Sequence, residues 1–234
     1  MKPTPFVVLA ASALSLMASG TAVAQSAKFH GAFTQIGLGY ESVKPTHDSS
    51  TLSVNGRSLP VSTTSTTANG ATGVISAGWY QGLNDRFLLG VGLDYAPIAG
   101  ASGTMTVTTP GLLPNQNNLT NDYSYQKKYS YNLYISPAVT VGENGMAYAK
   151  IGFTGAKVTN YNSLDYNFKG YSLGLGYRHA FQGGWYGFAE ANFADYGNET
   201  ESATNPIARG RTLTSSGTNG LQTYNFLVGM GYKF

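Results

Sequence analysis

An all-β fold, an eight-stranded antiparallel barrel that crosses a membrane, is what this 234-residue sequence predicts. Three observations lead there. Eight segments alternate apolar residues with small or polar ones at a period of two, the spacing at which strand side chains return to one face. The connections between them alternate between turns of three or four residues and long polar loops. Aromatic residues gather at two levels of the apolar face. Short turns at one end, long loops at the other and strands of about ten residues are the pattern of barrels in the bacterial outer membrane, with the short turns on the periplasmic side.

Composition agrees. Charged residues make up 11% of the chain, against ~25% in soluble domains. After the N-terminus no apolar run reaches the ~18 residues of a spanning helix. Thirty Gly and seventeen Tyr with few charges suit strands whose backbones approach closely. The absence of Cys excludes disulfides, Cys-metal sites and thiol nucleophiles together. Residues 1–24 read as a secretory signal. Lys2 is the positive start, 6–17 the apolar core, and Ala22-Val23-Ala24 the small-residue cleavage site before Gln25. The apolar run is too short for an anchor, and no Cys follows for lipid attachment. The expected mature domain is therefore 25–234. Its net charge of about +2 is too small and scattered to imply nucleic acid.

The first segment, 29–41, sets Ala32, Ile36, Leu38 and Tyr40 against Gln35, Gly37, Gly39 and Glu41. The second, 72–81, sets Ile75, Ala77 and Trp79 against Ser76, Gly78 and Tyr80. After a Gly82-Leu83-Asn84-Asp85 turn comes 86–96, with Phe87, Leu89, Val91, Leu93 and Tyr95 opposite Leu88, Gly90, Gly92 and Asp94. The fourth, 128–141, has Tyr131, Leu133, Ile135, Pro137 and Val139 opposite Asn132, Tyr134, Ser136 and Ala138. Gly142-Glu143-Asn144-Gly145 turns into 146–156, where Ala147, Ala149, Ile151 and Phe153 oppose Tyr148, Lys150, Gly152 and Thr154. The sixth, 168–181, places Tyr171, Leu173, Leu175 and Tyr177 against Ser172, Gly174, Gly176 and Arg178. Gln182-Gly183-Gly184 leads to 185–196, with Ala189, Ala191 and Phe193 against Tyr186, Phe188, Glu190 and Asn192. The last, 224–234, alternates Tyr224, Phe226, Val228, Met230, Tyr232 and Phe234 with small or polar residues, Leu227 alone excepted. The expected long loops are 43–71, 97–127, 157–167 and 197–220.

With the short turns at one interface, Trp79, Phe87, Trp185 and Phe234 share that level facing outward. Tyr40, Tyr95, Tyr131, Phe153, Tyr171, Phe193 and Tyr224 share the other, giving the two girdles that headgroup regions favour. A soluble lipocalin-like barrel would need the reverse polarity, an apolar interior and a wet exterior. Here Asp94, Lys150, Arg178 and Glu190 all lie on the face opposite the continuous aliphatic one, so the charges belong inside and lipid outside.

LGVGLDY (89–95), MAYAKIGF (146–153), GYSLGLGYRHAF (170–181), GWYGFAEANFADYG (184–197) and the terminal VGMGYKF resemble the small OmpA-like/OmpX-like outer-membrane β-barrel family. The resemblance covers the strands and not the loops. It implies residence in the outer membrane of a Gram-negative cell, at the cell surface. It also implies recognition of the C-terminal strand by the barrel assembly machinery, a role assigned to Met230, Tyr232 and Phe234. No counterpart of the peptidoglycan-binding domain of full-length OmpA-type proteins is expected, and with it no cell-wall tethering role.

Four GxG runs (37–39, 90–92, 174–176 and 229–231) lie inside strands, not at a strand-to-helix turn, so they make no nucleotide fingerprint and instead provide room in a narrow barrel. No cofactor or metal site is expected. Lys150 and Glu190 fall at similar depth, and two readings are open for the inward charges. One is a plug of ion pairs, favoured by the narrow interior of eight strands. The other is the constriction of a small, porin-like passive pore, which a Gly lining without filler favours. His30 and His179 lie near the periplasmic rim, and His47 in the first loop beside Asp48, Ser49 and Ser50. Nothing in the sequence orients these neighbours, and no His-x-Ser-Asn run of the lipid A deacylase type occurs, so an outer-membrane lipid enzyme is the distant option. The expected role is non-enzymatic: structural, or surface interaction through the outer loops. Outer-membrane lipid and lipopolysaccharide are the expected surroundings. Lys127, Lys128 and Lys169 near the outer rim are read either as partners of lipopolysaccharide phosphates or, the reading the composition favours, as plain interfacial solubility.

Overall fold

The computed structural model describes residues 26–54, 57–98, 100–111, 117–160, 165–207 and 211–234. The expected secretory segment, 1–24, lies outside the described residues. Ten strands follow in order: β1 (Gly31–Val54), β2 (Arg57–Ser65), β3 (Ala68–Gly82), β4 (Phe87–Ala96), β5 (Ser102–Thr109), β6 (Leu119–Val141), β7 (Gly145–Asn160), β8 (Asp165–Ala180), β9 (Trp185–Ile207) and β10 (Arg211–Lys233). Eight of them, β1-β3-β4-β6-β7-β8-β9-β10, form an antiparallel ring that β10 closes against β1 from Phe33↔Lys233 to Val54↔Leu213. These are the eight strands read from the alternation. Their periplasmic ends fall within two residues of the expected ones, because Gly and Asn mark the turns. Asn84 Oδ1 accepts from the Arg86 and Phe87 amides at 3.0 and 2.9 Å, and Gly142 and Gly183 sit at φ 62° and 72°.

The outer ends differ from expectation. Most of the stretches read as loops are strand. β1 runs on to Val54 and folds back as β2, while β5 bridges β2 and β6. The β9–β10 hairpin continues to Ile207 and Arg211. The reason is that Thr suits a pleated surface, and here threonines meet across strands: Thr108–Thr120 at 3.2 Å, Thr200–Thr218 at 2.8 Å and Thr204–Thr214 at 3.0 Å. A strand of 23 residues such as β6 is about 75 Å long at 3.3 Å per residue, whereas ~10 residues cross a bilayer. Roughly half of the barrel therefore stands outside the membrane.

On the outer face Ile36, Leu38, Ile75, Leu133, Ile151, Leu175 and Val228 are exposed in the middle of their strands, as a lipid-facing belt must be. The outer girdle is held in register by the cross-strand pairs Tyr95↔Tyr131, Phe153↔Tyr171 and Phe193↔Tyr224. Trp79, Phe87, Trp185 and Phe234 are exposed at the periplasmic end. There Trp185 and Phe234 flank Tyr232 edge-on at 5.3 and 5.2 Å.

The inner glycines have a use that the sequence does not announce. Gly90, Gly92, Gly176, Gly229 and Gly231 lie directly across from Tyr80, Tyr134, Tyr148, Phe188 and Tyr186. A Cβ at each would fall 2.3–2.7 Å from the partner side chain. The glycines are thus slots for inward aromatic rings, so the lining that looked short of filler is full of it. Leu227, the exception in the last strand, is buried among these rings.

Candidate functional site

From the periplasm upward, the interior is closed in layers. At the mouth, the short turn Ser26–Lys28 lies across the opening. Lys28 Nζ donates to the Glu143 carbonyl and Asn144 Oδ1 at 2.9 and 2.7 Å, and Lys233 Nζ donates to the Ala27 carbonyl at 3.2 Å.

Above it sits Arg178, from the periplasmic end of β8. Its guanidinium lies 4.1, 5.0, 5.2 and 4.7 Å from the ring centroids of Phe33, Tyr80, Tyr148 and Tyr186. One of its nitrogens donates to Gln35 Oε1 at 2.8 Å. Among the described residues no carboxylate pairs with it; ring faces, which attract cations electrostatically, surround the charge instead.

The next layer is built on Lys150. Its ammonium lies 3.1 Å from Asp94 Oδ2 and 2.8 Å from Glu190 Oε2, and 4.3 Å from the Tyr134 ring centroid. Tyr148 and Asn192 both donate to Glu190 at 2.8 Å, and Ser172 donates to Asn132, which reaches Asp94. The similar depth expected of Lys150 and Glu190 corresponds to a direct contact between β7 and β9 over Gly174 and Gly176 of β8, the strand between them. Asp94 joins from β4. Arg178 stands one layer below and is held differently.

A third layer was not legible. Glu41 and Lys127 form a buried ion pair, with Lys127 only 1% exposed. Lys127 therefore does not reach lipopolysaccharide, contrary to expectation. Counting outward from Tyr134 by twos would place it on the lipid side, but an inserted residue, Lys128, breaks the register between Lys127 and Tyr129 and reverses the faces. Lys128 bonds Gln126 instead, at 2.6 Å, and Lys169 is exposed on the outer face. Between the second and third layers a small chamber of about 50 Å³ remains, with Asp94, Asn132, Ser172 and Asn225 beside Val74, Ala194 and Leu227 among its lining residues. That is room for a few waters. Among the described residues three buried acids, Glu41, Asp94 and Glu190, are matched by three buried bases, Lys127, Lys150 and Arg178.

Above the Glu41–Lys127 layer, in the extracellular half, the walls part around a cavity of about 440 Å³. Met105, Tyr125, Val158, Phe168 and Leu221 supply its apolar surface, and His47, Asp165 and Asn219 are among its polar lining residues. These residues come from β1, β5, β6, β7, β8 and β10, so the cavity is built by the extracellular continuation of ring strands together with β5. His47, on β1, points inward. Its Nδ1 lies 2.7 Å from Asn219 Oδ1, and its Nε2 is hydrogen-bonded to Ser65 Oγ. Neither partner adjoins it in sequence. Asp165 pairs with Lys157 at 2.7 Å; the hydrogen bond from Lys157, then that from Thr159, holds its carboxyl below the ordinary range.

Residues 7–234 match the family described as outer membrane protein beta-barrel domain. Among solved structures, the outer membrane protein OprG from Pseudomonas aeruginosa is similar, with a TM-score of 0.55 at 18% identity, over 88% of this chain and 98% of that one. Neisserial surface protein A gives a TM-score of 0.45 at 14% identity, over 88% and 100%. The attachment invasion locus protein Ail of Yersinia pestis gives 0.37 at 13%, over 88% and 99%. No curated protein matches the sequence. The ring of eight strands, its lipid-facing belt and the family match together place the protein in the bacterial outer membrane, and the chain belongs to the outer membrane protein beta-barrel family.

Proposed function

We propose that this protein is a closed barrel that works at the cell surface, through its β-built extracellular half and the apolar cavity in its mouth, and not as a passive pore. The observation that carries the reading is the filled lumen. A solute would have to separate Lys150 from both Asp94 and Glu190, then Arg178 from four rings. Each is a buried charge whose partners are costly to remove. The cavity above falls in the ~300–1,000 Å³ range of small-molecule sites and, like many of them, sits in the mouth of a barrel. Its lining suits a small apolar molecule met at the cell surface. The exposure of Lys169, which also borders the cavity, supports a contact with lipopolysaccharide phosphates at the outer rim.

The test is the single-channel conductance of the refolded barrel in a planar bilayer, beside binding of an apolar fluorescent dye. The closed barrel gives no steady openings, and the dye binds the wild type but not Phe168→Asp. Steady openings whose ion selectivity changes in Lys150→Glu would replace this reading with the pore.

A further inference from the structure

The cavity's lining includes His47 and Asn219, and Ser65, paired with the lining residue Met105, is hydrogen-bonded to His47 just behind it. Ser65 ends β2, His47 is on β1 and Asn219 is on β10, and the fold brings all three together. The amide oxygen of Asn219 can only accept, so His47 Nδ1 carries the ring hydrogen. Nε2 of the neutral imidazole is then bare and accepts from the Ser65 hydroxyl. A serine donating to an imidazole whose other nitrogen is held by a third side chain is the arrangement of nucleophile, base and orienting group.

The backbone is shaped around this corner. The β1–β10 ladder gains a residue between His47 and Ser49, directly beyond the His47↔Asn219 pair. The β9–β10 ladder shifts between Asn219 and Leu221. Bulges of this kind re-aim side chains and are over-represented beside active sites. A Cβ at 220 would lie 2.4 Å from Asn198 Oδ1 and 2.5 Å from Thr46 Oγ1, so glycine there leaves both side chains undisturbed. Ser65 is anchored from both sides. It pairs with Met105 of the cavity wall. The next residue, Thr66, is tied to Thr104 by its amide at 2.9 Å and by its hydroxyl, and its carbonyl accepts from Tyr125 at 2.6 Å. These contacts supply the rigid support that productive geometry needs.

We propose that Ser65, His47 and Asn219 form an ester-hydrolysing site, acting on carboxylic esters whose apolar acyl chain lies along Met105, Tyr125, Val158, Phe168 and Leu221. The inference rests on the reading of the cavity as a binding site. Ser65 Oγ attacks the ester carbonyl carbon while His47 Nε2 takes its proton. The tetrahedral intermediate collapses, the bond to the alcohol oxygen breaks, and His47 returns the proton to the departing alkoxide. Water then attacks the acyl-serine as His47 removes its proton. The carboxylic acid leaves and the hydroxyl of Ser65 is restored. Ser65 and His47 are catalytic residues, and Asn219 is a positioning residue that fixes the tautomer.

The experiment uses the full refolded barrel in detergent micelles and in lipid vesicles, with folding checked by its heat-dependent gel mobility. A fluorophosphonate probe followed by peptide mass spectrometry should label Ser65 in the wild type. Soluble p-nitrophenyl esters should be cleaved faster as the acyl chain lengthens from acetyl to octanoyl. A parallel arm with phospholipid and lipopolysaccharide in vesicles shows whether a free or a lipid ester is the substrate. Ser65→Ala and His47→Phe should lose about 10³-fold in kcat/KM, the scale on which a nucleophile or base contributes. Asn219→Asp should keep most of the activity, whereas Asn219→Leu should lower kcat with little change in KM. If the dye enters the wild-type cavity but Ser65 is neither labelled nor needed for ester cleavage, the hydrolase falls and the binding site stands. If neither dye binding nor cleavage occurs, both fall.

Discussion

Lys150 shows what a single buried charge commits the chain to. It is 1% exposed and lies between two carboxylates, so truncating it leaves Asp94 and Glu190 facing each other in a confined space. Lys150→Met should lower the unfolding free energy by about 3–5 kcal/mol, read from the urea midpoint of the refolded barrel by tryptophan fluorescence. Adding Glu190→Gln to that variant should recover part of the loss, because one unpaired charge is then removed. At the opposite extreme of exposure, Lys157 and Asp165 pair at the outer end of the β7–β8 hairpin. The hydrogen bond from Lys157 raises its own pKa and lowers that of Asp165. A lowered carboxyl pKa in the folded state means that the pair's contribution is present above the ordinary carboxylate range. It is lost as pH falls through the depressed value. An NMR titration should place the Asp165 midpoint below the usual one and return it upward in Lys157→Met. Because the pair is exposed, added salt should shrink the difference. An unmoved midpoint would show that the pair is not formed in solution.

At the level of strands, alternation revealed which residues face lipid and which face the lumen wherever the ladder is unbroken. Trp79, Phe87 and Trp185 were placed outward, and Asp94, Lys150, Arg178 and Glu190 inward, by counting alone. Counting failed beyond Lys128, since nothing in KKYSY distinguishes an inserted residue from a paired one. The bulge has a direct test. Deleting Lys128 should leave the barrel foldable with Lys127 still inside, because the ladder then becomes regular. Deleting Leu133, inside the continuous ladder, should send Asn132 to the lipid side and reverse every residue before it. Folded yield by gel mobility separates the two, and equal yields would sink the account. The extracellular extensions were missed for a different reason. Ser, Thr and Asn are common to loops and to strands wetted on both faces, so composition cannot choose between them. Pairing decides, and pairing is a property of two segments. His47 suffered likewise: its sequence neighbours are Asp48, Ser49 and Ser50, whereas its hydrogen-bond partners, Ser65 and Asn219, arrive only with the folded ring.

For the molecule as a whole, the architecture was legible because it repeats: eight alternations, alternating turns and two girdles each state it independently. The interior chemistry was only half legible. Which charges point inward follows from parity, but that Arg178 is held by rings from β1, β3, β7 and β9 follows only from closure. Phe234 belongs to this scale, since its amide donates to the Ala32 carbonyl at 2.9 Å and fastens the periplasmic end of the β1–β10 pair. Removing Phe234 should reduce the amount of heat-resistant barrel in cell membranes while leaving transcript levels unchanged. Unaltered membrane levels would count against the proposed assembly signal of Met230, Tyr232 and Phe234. The β1–β10 pair has one more consequence, in time instead of space. It joins the two ends of the chain along one of the longest ladders in the ring, whereas the other ring pairs join strands much nearer in sequence. Closing so large a loop is slow, so the neighbouring hairpins form first and this ladder last. Until then the nascent sheet carries two open edges of complementary register. A second copy of the chain could fill either edge, so the rate of ring closure relative to encounter sets how often the protein becomes a monomer or a swapped dimer.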